Sequence, residues 1–107
     1  MAVPVNVHRI NCLRCNPAVF QKAGAKYPKT WDEYFAACEK IQKAGLIPVG
    51  FGGQAWQEAT AWESIVAGVG GTDFYKKTLI QADEQALASE TMVKALDIFK
   101  RIKPYTD

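Results

Sequence analysis

A chain of 107 residues, 49% of them hydrophobic and carrying a formal net charge of +2, has material for one small domain with a genuine core. So slight a charge excludes the electrostatic footprint of a nucleic-acid or acidic-membrane binder, and no run approaches the roughly 20 apolar residues that span a bilayer. Charge is mildly uneven, with 7 Lys/Arg against 3 Asp/Glu up to Gly53 and 6 against 8 from Gln54, which reads as a solvated surface.

In chain order, Val3, Val5 and Val7 alternate with Asn6 and His8, the period-two pattern of a strand over Val3–Ile10 with Pro4 at its start or on an edge. Met1-Ala2-Val3-Pro4 lacks the charged and apolar regions of an export signal, so none is predicted in this sequence, and the chain as expressed would be cytoplasmic. Asn16-Pro17 opens a first helix as N-cap and first helical residue, and Gly24 closes it. Thr30 and Glu33 have capping-box spacing before a second helix, whose Trp31, Tyr34, Phe35, Cys38 and Ile41 share a face and which Gly45 ends.

Leu46–Phe51 reads as a second strand. A third helix is expected from about Trp56 to Gly68, with Ala59, Trp62, Val66 and Val69 inward and a break at Gly70-Gly71. Thr72 is a candidate cap for a short helix carrying Phe74, Tyr75 and Leu79. The last helix should start near Ser89, turn Met92, Leu96 and Phe99 inward, and end before Pro104. The class is α/β and helix-rich, without repeats or low-complexity segments. Two strands are few for an independent sheet.

Chemistry concentrates in Gly52-Gly53-Gln54-Ala55-Trp56-Gln57. A glycine turn lets backbone approach a ligand, and an indole beside two carboxamides matches the apolar faces and hydroxyl rim of a pyranose. By residue type alone, packing of Trp56 into the core as a helix cap is favoured, because pockets are few per protein. A lone His8 likewise reads first as a strand or surface histidine. Cys12-x-x-Cys15 admits a redox pair, a local disulfide, or half of a zinc site that His8 and Cys38 would complete. Zinc is disfavoured because Cys38 lies on an apolar helix face, and a thioredoxin-like role because the flanking pattern is wrong. With one histidine, no nucleophile elbow and no phosphate-binding fingerprint, no catalytic constellation is found. Glu58 and Glu63 read as solvated or capping groups, so neither an enzyme nor a metal or other cofactor is expected.

Val3-Pro4-Val5-Asn6-Val7-His8-Arg9-Ile10-Asn11, Asn16-Pro17-Ala18-Val19-Phe20, Lys29-Thr30-Trp31-Asp32-Glu33-Tyr34 and Gly52-Gly53-Gln54-Ala55-Trp56-Gln57 follow in this order. Together they resemble the glucose/mannose-type sugar-binding proteins of bacterial ABC importers, from about Ala2 to Asp107. Those proteins are much longer, with two α/β lobes that close on a sugar. The resemblance implies a fragment of the second lobe: a partial lobe of a type II periplasmic-binding-protein-like fold with a small parallel sheet. It implies a periplasmic location, a monosaccharide ligand such as glucose or mannose, and an ABC membrane permease as partner.

By that resemblance His8, Arg9 and Asn11 match cleft-edge positions, Gln54 and Trp56 match the polar and stacking residues of the ligand loop, and Gln57 is a further candidate. The pattern departs at Asn11-Cys12-Leu13-Arg14-Cys15-Asn16, where relatives typically read Asn-Trp-Leu-Trp-Tyr-Asn. Losing buried aromatics costs several kcal/mol in an unchanged core. This surface should therefore no longer be buried, and Arg14 should reach water or a carboxylate. Two functions follow: a carbohydrate-binding module, or a protein–protein interaction or self-assembly module that keeps the scaffold without the sugar. Unpaired strand edges would make the second a homo-oligomer.

Overall fold

A computed structural model of the chain describes Val3 and residues 11–107. The expected strand Val3–Ile10, with His8 and Arg9, lies outside the described residues apart from Val3.

Local signals place the helices. Helix α1, Pro17–Ala23, starts where the Asn16 side chain accepts the Ala18 N–H at 3.0 Å and stops at Gly24. Helix α2, Trp31–Lys43, starts where Thr30 Oγ1 accepts the Glu33 N–H at 3.2 Å. The Glu33 carboxylate reaches past Thr30 to accept the Lys29 N–H at 2.7 Å, so this capping box closes one residue early. Helix α3, Ala55–Tyr75, loses helical backbone at Gly71, where φ is 77° and ψ −179°, and runs on into a π-helical turn, Lys76–Ile80. A single turn α4, Glu84–Leu87, leads to α5, Glu90–Ile102, whose N-cap Ser89 accepts the Met92 N–H at 3.3 Å. A 3₁₀ turn, Lys103–Tyr105, ends the helical part.

The core forms where α2, α3 and α5 meet. Phe35, Ile65, Val66, Ala95 and Ile102 make one buried cluster, ringed by Trp31, Tyr34, Trp62, Phe99 and Tyr105. The Trp62 and Phe99 rings meet edge-on at 5.7 Å, and the Arg101 guanidinium lies 4.0 Å above the Phe35 ring. The expected faces largely hold, with two corrections. Ala59 is exposed, and Ile65 is buried beside Val66 instead. Leu96 is 52% exposed, because α5 turns Met92, Ala95 and Ile102 inward at spacings of three and seven and leaves Leu96 one position off that line.

Leu46–Phe51 bends at Leu46 and Pro48 and forms no strand ladder. Among the described residues the one β pairing is an isolated parallel bridge between Val49 and Thr106, with the Val49 N–H donating to the Tyr105 carbonyl at 3.1 Å. Pro48 supplies no N–H, so the ladder cannot extend backwards through it. The small parallel sheet is thus not built from the described residues. The C-terminus instead clips this run to the core: Asp107 Oδ1 accepts the Phe51 N–H at 3.0 Å, and Gln42 Nε2 donates to the Pro104 carbonyl at 3.3 Å.

Candidate functional site

The clipped run delivers Gly50, Phe51 and Gly52 to the N-terminal end of α3, and the segment Asn11–Arg14 crosses the same helix. Between them lies an open cleft of about 530 Å³ whose lining includes Asn11, Arg14, Gly52, Trp56, Gln57 and Tyr34. Helix α3 supplies one wall in two rows at four-residue spacing, Trp56-Thr60-Ser64 and Gln57-Ala61-Ile65.

Each candidate side chain here is held by a specific contact. The Trp56 indole N–H donates to Gln54 Oε1 at 2.6 Å, and the ring is 63% exposed. That overturns the packing of Trp56 into the core: at the first turn of α3 it faces outward and its edge is tethered. Gln57 Oε1 accepts the Gln54 N–H at 3.1 Å, completing the start of the helix. Its carboxamide lies directly over Gly52, in the space that any side chain at 52 would need. The close approach at 52 is made by Gln57 and not by an external ligand, and a side chain there would displace the flexible Gln57 carboxamide from its contact with the Gln54 N–H.

Asn11 is fixed on both ends of its amide. Nδ2 donates to the Thr60 carbonyl at 2.9 Å, and Oδ1 accepts the Ser64 hydroxyl at 2.8 Å. The structure therefore gathers Asn11, Trp56 and Gln57 on one cleft, with Gln54 behind Trp56; His8 and Arg9 lie outside the described residues. Thr60 and Ser64 were not singled out from sequence. Their signal was present, since they follow Trp56 at intervals of four in a helical segment.

Cys12, Leu13 and Arg14 are exposed and Cys15 is half-buried, so this surface is open as expected, and Arg14 reaches water. Cys15 and Cys38 are free thiols, and both line a second hollow, about 250 Å³, with Tyr34 between α1 and α2. Burial, followed by the neighbouring Cys38, pushes the Tyr34 phenol well above the ordinary tyrosine range. Burial also raises the Cys38 thiol, against a hydrogen bond from Tyr34 that lowers it. Among the described residues no group of three or more His, Cys, Asp or Glu could hold a metal, and no helix is long and apolar enough to cross a membrane.

An exposed indole, tethered amides and a partly apolar floor line this cleft, and the chemistry they offer is contact and hydrogen bonding. Comparison with known proteins gives the family. Residues 1–106 match the bacterial extracellular solute-binding proteins, and the chain belongs to that family. It is 45% identical over its whole length to a probable sugar-binding periplasmic protein of Mesorhizobium japonicum and 41% identical to one of Brucella suis. It is also 33% identical, over 99% of its length, to an ABC transporter extracellular-binding protein of Pyrococcus horikoshii. The chain spans about a quarter of these relatives: 26%, 25% and 24% of their respective lengths.

Proposed function

We propose that this chain is a carbohydrate-binding segment of an ABC-importer sugar receptor, working in the periplasm with a membrane permease and taking a monosaccharide such as glucose or mannose. The observation that carries the reading is the Trp56 ring, tethered at its N–H and exposed on a cleft that also holds Asn11 and Gln57. The relatives' names, sugar-binding and periplasmic, support it. In this reading Trp56 stacks on a sugar face. Gln54 fixes the indole, and Gln57 and Asn11 offer the hydrogen-bonding capacity their internal contacts leave over. His8, Arg9 and Asn11 belong to the cleft edge by resemblance.

The 107-residue chain offers one open wall, whereas pockets commonly bury 70–90% of a ligand. Binding should therefore be millimolar, roughly −4 kcal/mol. Titration of ¹⁵N-labelled protein with glucose and mannose should shift the Trp56 indole resonance and the neighbouring Gln57 and Thr60 backbone amides with a millimolar midpoint, and Trp56→Ala should abolish the shifts of those amides. An indole resonance unmoved by either sugar would overturn the proposal.

A second reading, a self-assembling scaffold, draws on a different observation: Leu79, Ile80, Leu87, Val93 and Leu96 are all exposed on neighbouring elements that follow the kink at Gly71.

A further inference from the structure

Among the described residues that line the cleft beside Trp56, Arg14 is the one charged side chain and none is an aspartate or glutamate. Much of the remaining lining is apolar or aromatic: Trp31, Tyr34, Phe51, Ile65 and Ile102. A guanidinium stays protonated at any physiological pH and presents a planar fork that matches a carboxylate with two parallel hydrogen bonds. A cation in such surroundings, with no carboxylate beside it in the cleft, favours a ligand that brings its own negative charge.

We propose that the sugar taken by this cleft is acidic, a uronic acid whose ring stacks on Trp56 while its carboxylate engages Arg14. The inference rests on the carbohydrate reading above and adds the ligand's charge to it. Arg14 then determines specificity: neutral hexoses can use Trp56 and the amides but leave the guanidinium to water.

The test is a set of parallel titrations with sodium glucuronate, glucose, glucose 6-phosphate and sodium acetate, followed at the Trp56 indole and repeated on Arg14→Gln. Arg14 is exposed, so the substitution leaves the core intact. Glucuronate should bind roughly three- to tenfold more tightly than glucose at low ionic strength, the range of an exposed to partly desolvated charge-assisted contact. The advantage should shrink as salt rises to about 0.5 M and vanish in Arg14→Gln. Equal affinity for glucose and glucuronate, or a preference that survives Arg14→Gln, would overturn the inference while leaving sugar binding intact. Acetate binding as well as glucuronate would overturn it as a generic anion effect, and glucose 6-phosphate exceeding glucuronate would reassign the anion to phosphate. Silence from every sugar would sink both this inference and the reading beneath it.

Discussion

Tyr34 and Cys38 sit one turn apart on α2, and their chemistry is tied to the fold by burial. Cys38 is 3% exposed, and burial disfavours its thiolate, so its folded-state pKa lies above the unfolded one. The unfolded chain then gives up that proton first. Stability from this group is complete below the ordinary thiol value, about 8.5, and declines as pH rises from there toward the folded value. Tyr34, raised in the same direction, continues the decline further into alkali. Urea midpoints measured between pH 7 and 10 should fall with pH, and Cys38→Ala should flatten the first part of the fall; an unchanged profile in that variant would show that the thiol is not responsible. In native protein at neutral pH, alkylation should modify Cys12 and Cys15 well before Cys38. Exposure was the quantity that sequence left open at this scale. The helical spacing that put Cys38 inside was legible, whereas Trp56 has neighbours on the same period and only the tertiary arrangement shows that its ring faces out.

At the scale of elements, capping chemistry was legible because it is local. Asn16, Thr30 and Ser89 each accept the N–H expected of an N-cap, and Gly24 stops α1. The strand at Leu46–Phe51 was not, because a strand is defined by its partner, and the described partner is a single bridge to Thr106 from the far end of the chain. The cleft was half legible for the same reason. Gln54, Trp56 and Gln57 are near in sequence, while the contacts of Asn11 with Thr60 and Ser64 join residues about 50 apart. The predicted break at Gly70-Gly71 is real and is sharper than a frayed helix end. Gly71 at φ 77° and ψ −179° occupies a region that essentially only glycine adopts, and it kinks the chain inside α3, four residues before its end at Tyr75. Gly71→Ala should cost about 1–3 kcal/mol of stability by chemical denaturation. Nothing lies within 4 Å of a Cβ built there, so the cost is backbone strain and not collision. A neutral substitution would mean that the two helical segments can straighten at no expense.

For the molecule as a whole, the surface is large for the chain. The radius of gyration is 15.7 Å where about 13 Å is typical of a compact domain this long, and the accessible surface is 8265 Å². A compact monomer of 11.8 kDa exposes about 5,900 Å². The excess, about 2,400 Å², is well above the roughly 800 Å² that each partner contributes to a standard protein–protein interface. Part of it is apolar and falls within residues 79–96: Leu79 and Ile80 on the π-helical turn, Leu87 on α4, and Val93 and Leu96 on the outer side of α5. Burying the exposed parts of these side chains gains at most roughly 1.5–3 kcal/mol each, so several from each copy together are needed to offset the roughly 4–15 kcal/mol that association costs. A second copy offers the same row, and a twofold arrangement would cover both at once. Sedimentation at tens of micromolar should therefore show a species heavier than 11.8 kDa, and Leu96→Glu or Ile80→Glu should return it toward the monomer without weakening the core, since both residues are exposed. A clean monomer across that range would refute the self-assembly reading and leave the row as surface that a single chain tolerates in water.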